Sequence, residues 1–186
     1  MKSAQNPKTP GRYDSGAIAF HWLMFVLVVC VGVLGLLHDS WPTKPMQRFW
    51  INFHAILGLL LWFTLMARFL WRLRHRPPPL MESVGTFSRR TQALVHFSLY
   101  ALLFVTPIVG IITFVYHGRV FDFGIFKIDF GIKSNRAIFH PTEDLHGYLA
   151  YAIFALAGIH ALTALWHQFM LRDGLLNRMW PARRSQ

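Results

Sequence analysis

The chain has 186 residues, 54% hydrophobic and only 15% charged, too apolar for an ordinary soluble domain and suited to one compact membrane domain. Seventeen Phe and seven Trp in so short a chain fit lipid-facing surfaces and interfacial aromatic belts. A formal charge of +11 would admit nucleic acid on its sum alone, but the placement of the charges makes them a topology signal and excludes that partner.

Residues 1–16 (MKSAQNPKTPGRYDSG) form a polar tail leading to a helix start at Asp14 or Ser15. The first apolar run, 17–37, has the length of a membrane span rather than of a signal-peptide core, and no small-x-small cleavage site follows it. Residues 40–50 read as a short loop, since Pro42 and Pro45 break helices. The second span covers 52–73. Arg74, Arg76, Arg89 and Arg90 then surround the triplet Pro77 to Pro79 in a solvated loop, where the triplet should be extended and stiff. The third span covers 91–115, with Pro107 inside it as the expected site of a kink. Residues 116–143 make the longest connection, and its alternating stretches FDFGIF and FKIDFGI can pair as a hairpin. The fourth span, 144–171, leads into a basic end with Arg172, Arg178, Arg183 and Arg184. The expectation is an all-α membrane protein, a bundle of four transmembrane helices forming a single domain over 1–186.

Thirteen of the 19 Lys and Arg lie at one end of these spans, counting Arg68 and Arg72 near the close of the second; six lie in the other two loops. The positive-inside rule then puts both termini in the cytoplasm.

Ionisable residues inside a membrane are costly and point to function. The fourth span carries His146, His160 and His167. A separation of 14 residues returns His160 to within roughly 40° of His146 on the helix surface and sets the two about 21 Å apart along the axis. One helix thus offers two imidazoles on one face near opposite sides of the membrane. His54 opens the second span at the outer depth of His146. His21 lies one turn into the first span from the inner side, where His160 and His167 are both available as partners. Imidazoles from facing helices fill both axial positions of a haem iron, so two such pairs predict two haem b groups. The one cysteine, Cys30, forms no intrachain disulfide and no C-x-x-C-H is present, so the haems would be held by coordination and packing alone.

Other residues recur at the same interval. Arg68 follows His54 by 14 residues, at the depth where a guanidinium meets the propionates of the inner haem. Gly35 follows His21 by 14, and Gly58 lies one turn from His54; missing side chains at both would let a macrocycle approach the backbone. His96, one turn into the third span at the level of His21, is a candidate to hydrogen-bond a quinone carbonyl or supply a proton, with His167 as a second. In the outer loop, Arg119, Lys127, Lys133 and Arg136 could draw in a small anion, although Asp122, Asp129, Glu143 and Asp144 nearly balance them.

The chain resembles the bacterial cytochrome b561 family. The resemblance is carried by AFHW in the first span, NFHAILG and RFLWRL in the second, and HFSLYALLFVTPIVG in the third. It continues through LHGYLAYAIFALAGIHALTALWHQF and the closing DGLLNRMWP. The chain is also similar to the haem-bearing membrane subunits of nickel-iron hydrogenases and formate dehydrogenases, which share the 14-residue histidine spacing. The family resemblance implies that His54 and His146 ligate the iron of the outer haem, and His21 and His160 that of the inner one. It implies a place in the bacterial inner membrane and electron exchange with the quinone pool. Some members of the family oxidise superoxide and reduce ubiquinone, so an oxidoreductase with a small outer donor such as superoxide is the first expectation. The alternative is a membrane anchor that takes electrons from a dehydrogenase or hydrogenase as redox partner protein.

Overall fold

The computed structural model describes residues 11–75, 77–79 and 86–180. Residues 1–10 of the expected tail lie outside the described residues, as do Arg76, Arg183 and Arg184. Helix α1 spans Ser15–Leu37, and its first turn is capped by the Asp14 carboxylate, which accepts the Ala17 N–H at 2.9 Å. Helix α2 spans Lys44–Arg74, eight residues longer at its start than the sequence suggests. The reason is local: Thr43 serves as N-cap and Pro45 falls in the first turn, where a missing N–H costs nothing. Helix α3 spans Thr86–Tyr116 and continues through Pro107.

The connection after α3 holds a small antiparallel hairpin, β1 Phe121–Asp122 with β2 Lys127–Ile128, pairing Phe121 with Ile128 and Asp122 with Lys127. Helix α4 spans Arg136–Trp166, so the long connection ends eight residues sooner than the expected span start at 144. Asn135 caps it by accepting the Ala137 N–H, and Pro141 leaves only one helical hydrogen bond unmade so near the start. The helix widens into one π-helical turn, His167–Leu171, and ends at Arg172, whose left-handed φ of 53° turns the chain away.

All four helices are long and apolar enough to cross a membrane. Their outer faces carry exposed Phe25, Leu36, Phe63, Leu73, Phe97 and Leu162, as a lipid-facing surface requires. The helices pack chiefly in two pairs, α1 with α2 and α3 with α4, joined by a lesser α2–α3 contact. The central core draws on every helix: Met24 and Leu27, Leu61 and Leu65, Leu103, and Ile153. Leu61, Leu103 and Ile153 each lie seven residues from the two ends of a 14-residue interval, His54–Arg68, His96–Gly110 and His146–His160. Seven residues are two turns less about 20°, so midpoint and ends share a helix face. The helices therefore touch at mid-depth and hold functional side chains above and below.

At the end that carries both termini, the chain is tied together by Arg178, only 3% exposed. Its guanidinium donates to the carbonyls of Gly11 (2.9 Å), Pro79 (2.7 Å) and Pro78 (3.3 Å). Tyr13 N–H donates back to the Arg178 carbonyl at 3.2 Å, and the Trp22 indole N–H donates to Met179 O at 2.8 Å.

Candidate functional site

Histidine pairs cross from one helix pair to the other. At the hairpin end, His54 of α2 faces His146 of α4 with ring centroids 6.0 Å apart and planes at 81°. His54 Nδ1 lies 2.9 Å from the Val31 carbonyl, and His146 Nδ1 lies 3.0 Å from the Thr106 carbonyl. A backbone carbonyl only accepts, so each Nδ1 is the protonated nitrogen and each Nε2 keeps its lone pair free. The same device occurs twice, because each carbonyl lies four residues before a glycine. A Cβ on Gly35 would sit 3.0 Å from His54 Cε1, and one on Gly110 would sit 2.8 Å from His146 Cε1. Both glycines are seats for an imidazole, pressed against a helix backbone.

For Gly35 this differs from the expected reason: its missing side chain makes room for the His54 ring rather than directly for a macrocycle. At Gly58 an added Cβ would meet no protein atom within 4 Å, so the helix there borders open space. Gly110 is the residue sequence reasoning missed. It follows His96 by 14 residues, as Gly35 follows His21, and that parallel was the available signal.

At the terminal end three imidazoles cluster. His21 of α1 and His160 of α4 have ring centroids 6.3 Å apart, and His96 of α3 approaches His160 to 5.0 Å. His96 Nδ1 is 2.7 Å from Gln92 O, which leaves its Nε2 available. The residue facing His21 is thus His160. His167 turns instead to Asp173, with Nδ1 2.5 Å from a carboxylate oxygen. Arg68 lies among these groups, its charge bearing on His21, His96 and His160 while its Nε–H donates to the Tyr100 hydroxyl at 2.9 Å. It also lines a surface recess with Tyr13, Asp14, Trp71, Arg72 and His75.

These separations test whether a bis-imidazole iron fits. With metal–nitrogen bonds of about 2 Å and about 1 Å from ring nitrogen to centroid, opposed imidazoles on one metal have centroids about 6 Å apart. The pairs at 6.0 and 6.3 Å match that value. His96 and His160, at 5.0 Å, are too close to stand on opposite sides of one metal. The donor set fits haem: His54 with His146 and His21 with His160 have the spacing that would hold it, and His96 stands outside both pairs.

The outer-loop cations fall into separate surroundings. Lys127 is paired with Asp122 at 2.9 Å, and Lys133 and Arg136 are exposed. Arg119 is half-buried, stacked over Phe114 at 5.9 Å with a guanidinium nitrogen 3.5 Å from His117 Nε2. Burial, then the Arg119 charge, holds the His117 pKa below the usual imidazole value, so the ring is neutral and accepts from Arg119. His117 packs in turn on Phe139, seven residues before His146 on the same face of α4.

A family model described as prokaryotic cytochrome b561 matches residues 12–182. Cytochrome b561 homolog 2 of Escherichia coli (strain K12) is 32% identical over 178 residues, covering 92% of each chain. Cytochrome b561 homolog 1 of the same strain is 23% identical over 175 residues, covering 93% of this chain and 99% of its own. A probable superoxide oxidase CybB of Yersinia pestis is 28% identical over 180 residues, covering 94% of this chain and 98% of its own.

Proposed function

Since the chain belongs to the prokaryotic cytochrome b561 family of membrane electron-transfer cytochromes, which carry b-type haem, we propose that it binds two haem b groups and moves electrons from superoxide to ubiquinone. The observation that carries this is the pair of opposed imidazoles at each end of the bundle, at 6.0 and 6.3 Å. His54 and His146 hold the haem at the hairpin end, and His21 and His160 the one at the terminal end. A haem held between two imidazoles would supply one-electron storage and favour electron transfer over oxygen binding. Val31 and Thr106 orient the outer ligands through their carbonyls, and Gly35, Gly110 and Gly58 leave room for rings. Arg68 neutralises propionate charge at the terminal end. The domain comprises the whole chain, lies in the inner membrane and keeps both termini in the cytoplasm, as the Lys and Arg bias favours.

The overall reaction balances as two superoxide anions oxidised to two O₂, with ubiquinone taking up two electrons and two protons to give ubiquinol. His96, with Nε2 free beside His160, is placed to hydrogen-bond the quinone carbonyl at the inner end. Arg119 is the outer cation best placed to receive an anionic donor, because burial strengthens its field and Lys127 is already neutralised by Asp122.

Purified protein should show low-spin b-type spectra with two haems per chain by pyridine haemochrome, and should reduce ubiquinone when superoxide is generated. One haem or none per chain would defeat the ligand assignment, and full haem content without superoxide-driven quinone reduction would defeat the substrate assignment. Arg119→Gln should lower kcat/KM for superoxide on the order of tenfold and flatten its salt dependence, whereas Lys127→Gln should change neither appreciably.

A further inference from the structure

The connection between α3 and α4 carries none of the histidines assigned to haem, yet it holds a large unpaired apolar surface. One side of the hairpin faces the bundle: Phe121 is 3% exposed and packs on Phe114 with ring centroids 4.4 Å apart. The turn, the second strand and the chain after it nevertheless leave Ile125 91%, Phe126 52% and Phe130 55% exposed, with Ile128, cross-strand from Phe121, and Ile132 also partly outward. In water a contiguous patch of this kind marks an interaction surface.

Its depth along the bundle indicates what covers it. Asn52 grips the hairpin by both backbone groups of Asp122, its amide donating to Asp122 O at 2.8 Å and its carbonyl oxygen accepting Asp122 N–H at 3.0 Å. Asn52 is eight residues into α2, about 12 Å below its first residue, and two residues from His54. The hairpin is therefore strapped to the shaft of the bundle rather than standing above its end. Just above Asn52 lie Phe49, 62% exposed, and the stacked pair Trp41–Trp50 at 4.8 Å, aromatic residues of the kind that sit at a membrane interface. Through the Asn52 clasp on Asp122, the exposed apolar residues of the hairpin are held near this depth. Lys133, exposed beside Ile132, carries a stem long enough for its ammonium to reach lipid phosphates.

We propose that the hairpin is a lipid-surface anchor, with Ile125, Phe126, Ile128, Phe130 and Ile132 seated at the headgroup–acyl boundary of the leaflet at the hairpin end. Through the Asn52 clasp, that seat fixes the depth of the α2 segment bearing His54. The inference depends on the bundle spanning a membrane and is independent of which donor or acceptor it serves.

The test uses full-length, haem-loaded protein in phosphatidylcholine–phosphatidylglycerol nanodiscs, with Cys30→Ser and a fluorophore on Phe126→Cys or, separately, Ile125→Cys. The polar, exposed Ser134→Cys serves as the aqueous reference. Unchanged haem content certifies each variant as folded. The labels at 125 and 126 should be quenched by nitroxide lipids and shielded from aqueous iodide, with a blue-shifted emission relative to the label at 134. Iodide quenching equal to that at 134, with no lipid quenching, would overturn the proposal. Iodide access in nanodiscs combined with protection in native membranes would also overturn it and assign the surface to a protein partner instead.

Discussion

A single absent methyl group decides where the His146 ring lies. A Cβ on Gly110 would come within 2.8 Å of His146 Cε1, closer than side-chain carbons tolerate, so the ring must move or the helices must part. Gly110→Val should therefore remove one haem of two while the other remains, read as haem per chain and as loss of one component of a redox titration. Gly58→Ala is the contrasting case: no protein atom lies within 4 Å of the added carbon, so helix content should be unchanged and any loss should fall on haem content alone. The imidazoles themselves were legible because their type and spacing are written in the sequence. The groups that aim them were not, because Val31 and Thr106 act through carbonyls that every residue possesses. Depth alone left His160 and His167 equivalent as partners for His21; only the turn toward Asp173 separates them in space.

Secondary elements were read well in their apolar middles and poorly at their ends. Hydropathy marks where a helix enters lipid, whereas caps mark where it begins, and α2 and α4 each begin eight residues before the expected span. Pro45 suggested a loop but falls in the first turn of α2, where proline is tolerated, and α4 runs through Pro141 at the loss of one helical hydrogen bond. The hairpin was legible from its alternating pattern, but not the side chain that anchors it. Asn52→Ala should cost about 1–2 kcal/mol locally and speed amide exchange over 121–128 without unfolding the bundle, measurable by hydrogen exchange. Asp122 adds a pH dependence to the same element. The Lys127 ammonium and the Gly124 N–H hold its carboxyl below the ordinary 3.8. A depressed carboxyl stabilises the folded hairpin above its unfolded pKa and loses that contribution as pH falls through the folded value. Exchange in 121–128 should thus be indifferent to this group between pH 8 and pH 5 and rise only on stronger acidification.

Across the molecule, stability and orientation rest on different residues from those proposed to hold haem. Arg178 joins the segment before α1, the segment after α2 and the segment after α4 through three carbonyls in a buried setting. Arg178→Ala leaves those acceptors unpaired and should cost about 3 kcal/mol, seen as a lower melting temperature in detergent with both haem spectra retained at low temperature. The DGLLNRMWP stretch was legible as a family signature, but its role as a clasp needed the fold, since its partners lie up to 168 residues away. Topology admits a direct check: cysteines placed at Ser3 and Ser134 should react with an impermeant thiol reagent from opposite sides of the membrane, the first only after the cytoplasmic side is opened.

Helix α4 contributes one imidazole to each pair, so a single rigid rod sets both the spacing and the relative bearing of the two proposed redox stations. At 1.5 Å and 100° per residue, inserting one residue between His146 and His160 would barely lengthen the gap but would swing one ring through about a quarter of a circle away from its partner. Loops of this molecule can be lengthened or exchanged, but the interval between these histidines behaves as a fixed gauge. An engineer seeking a taller version would have to add turns in groups that restore the bearing, such as seven residues at a time, and match them on all four helices.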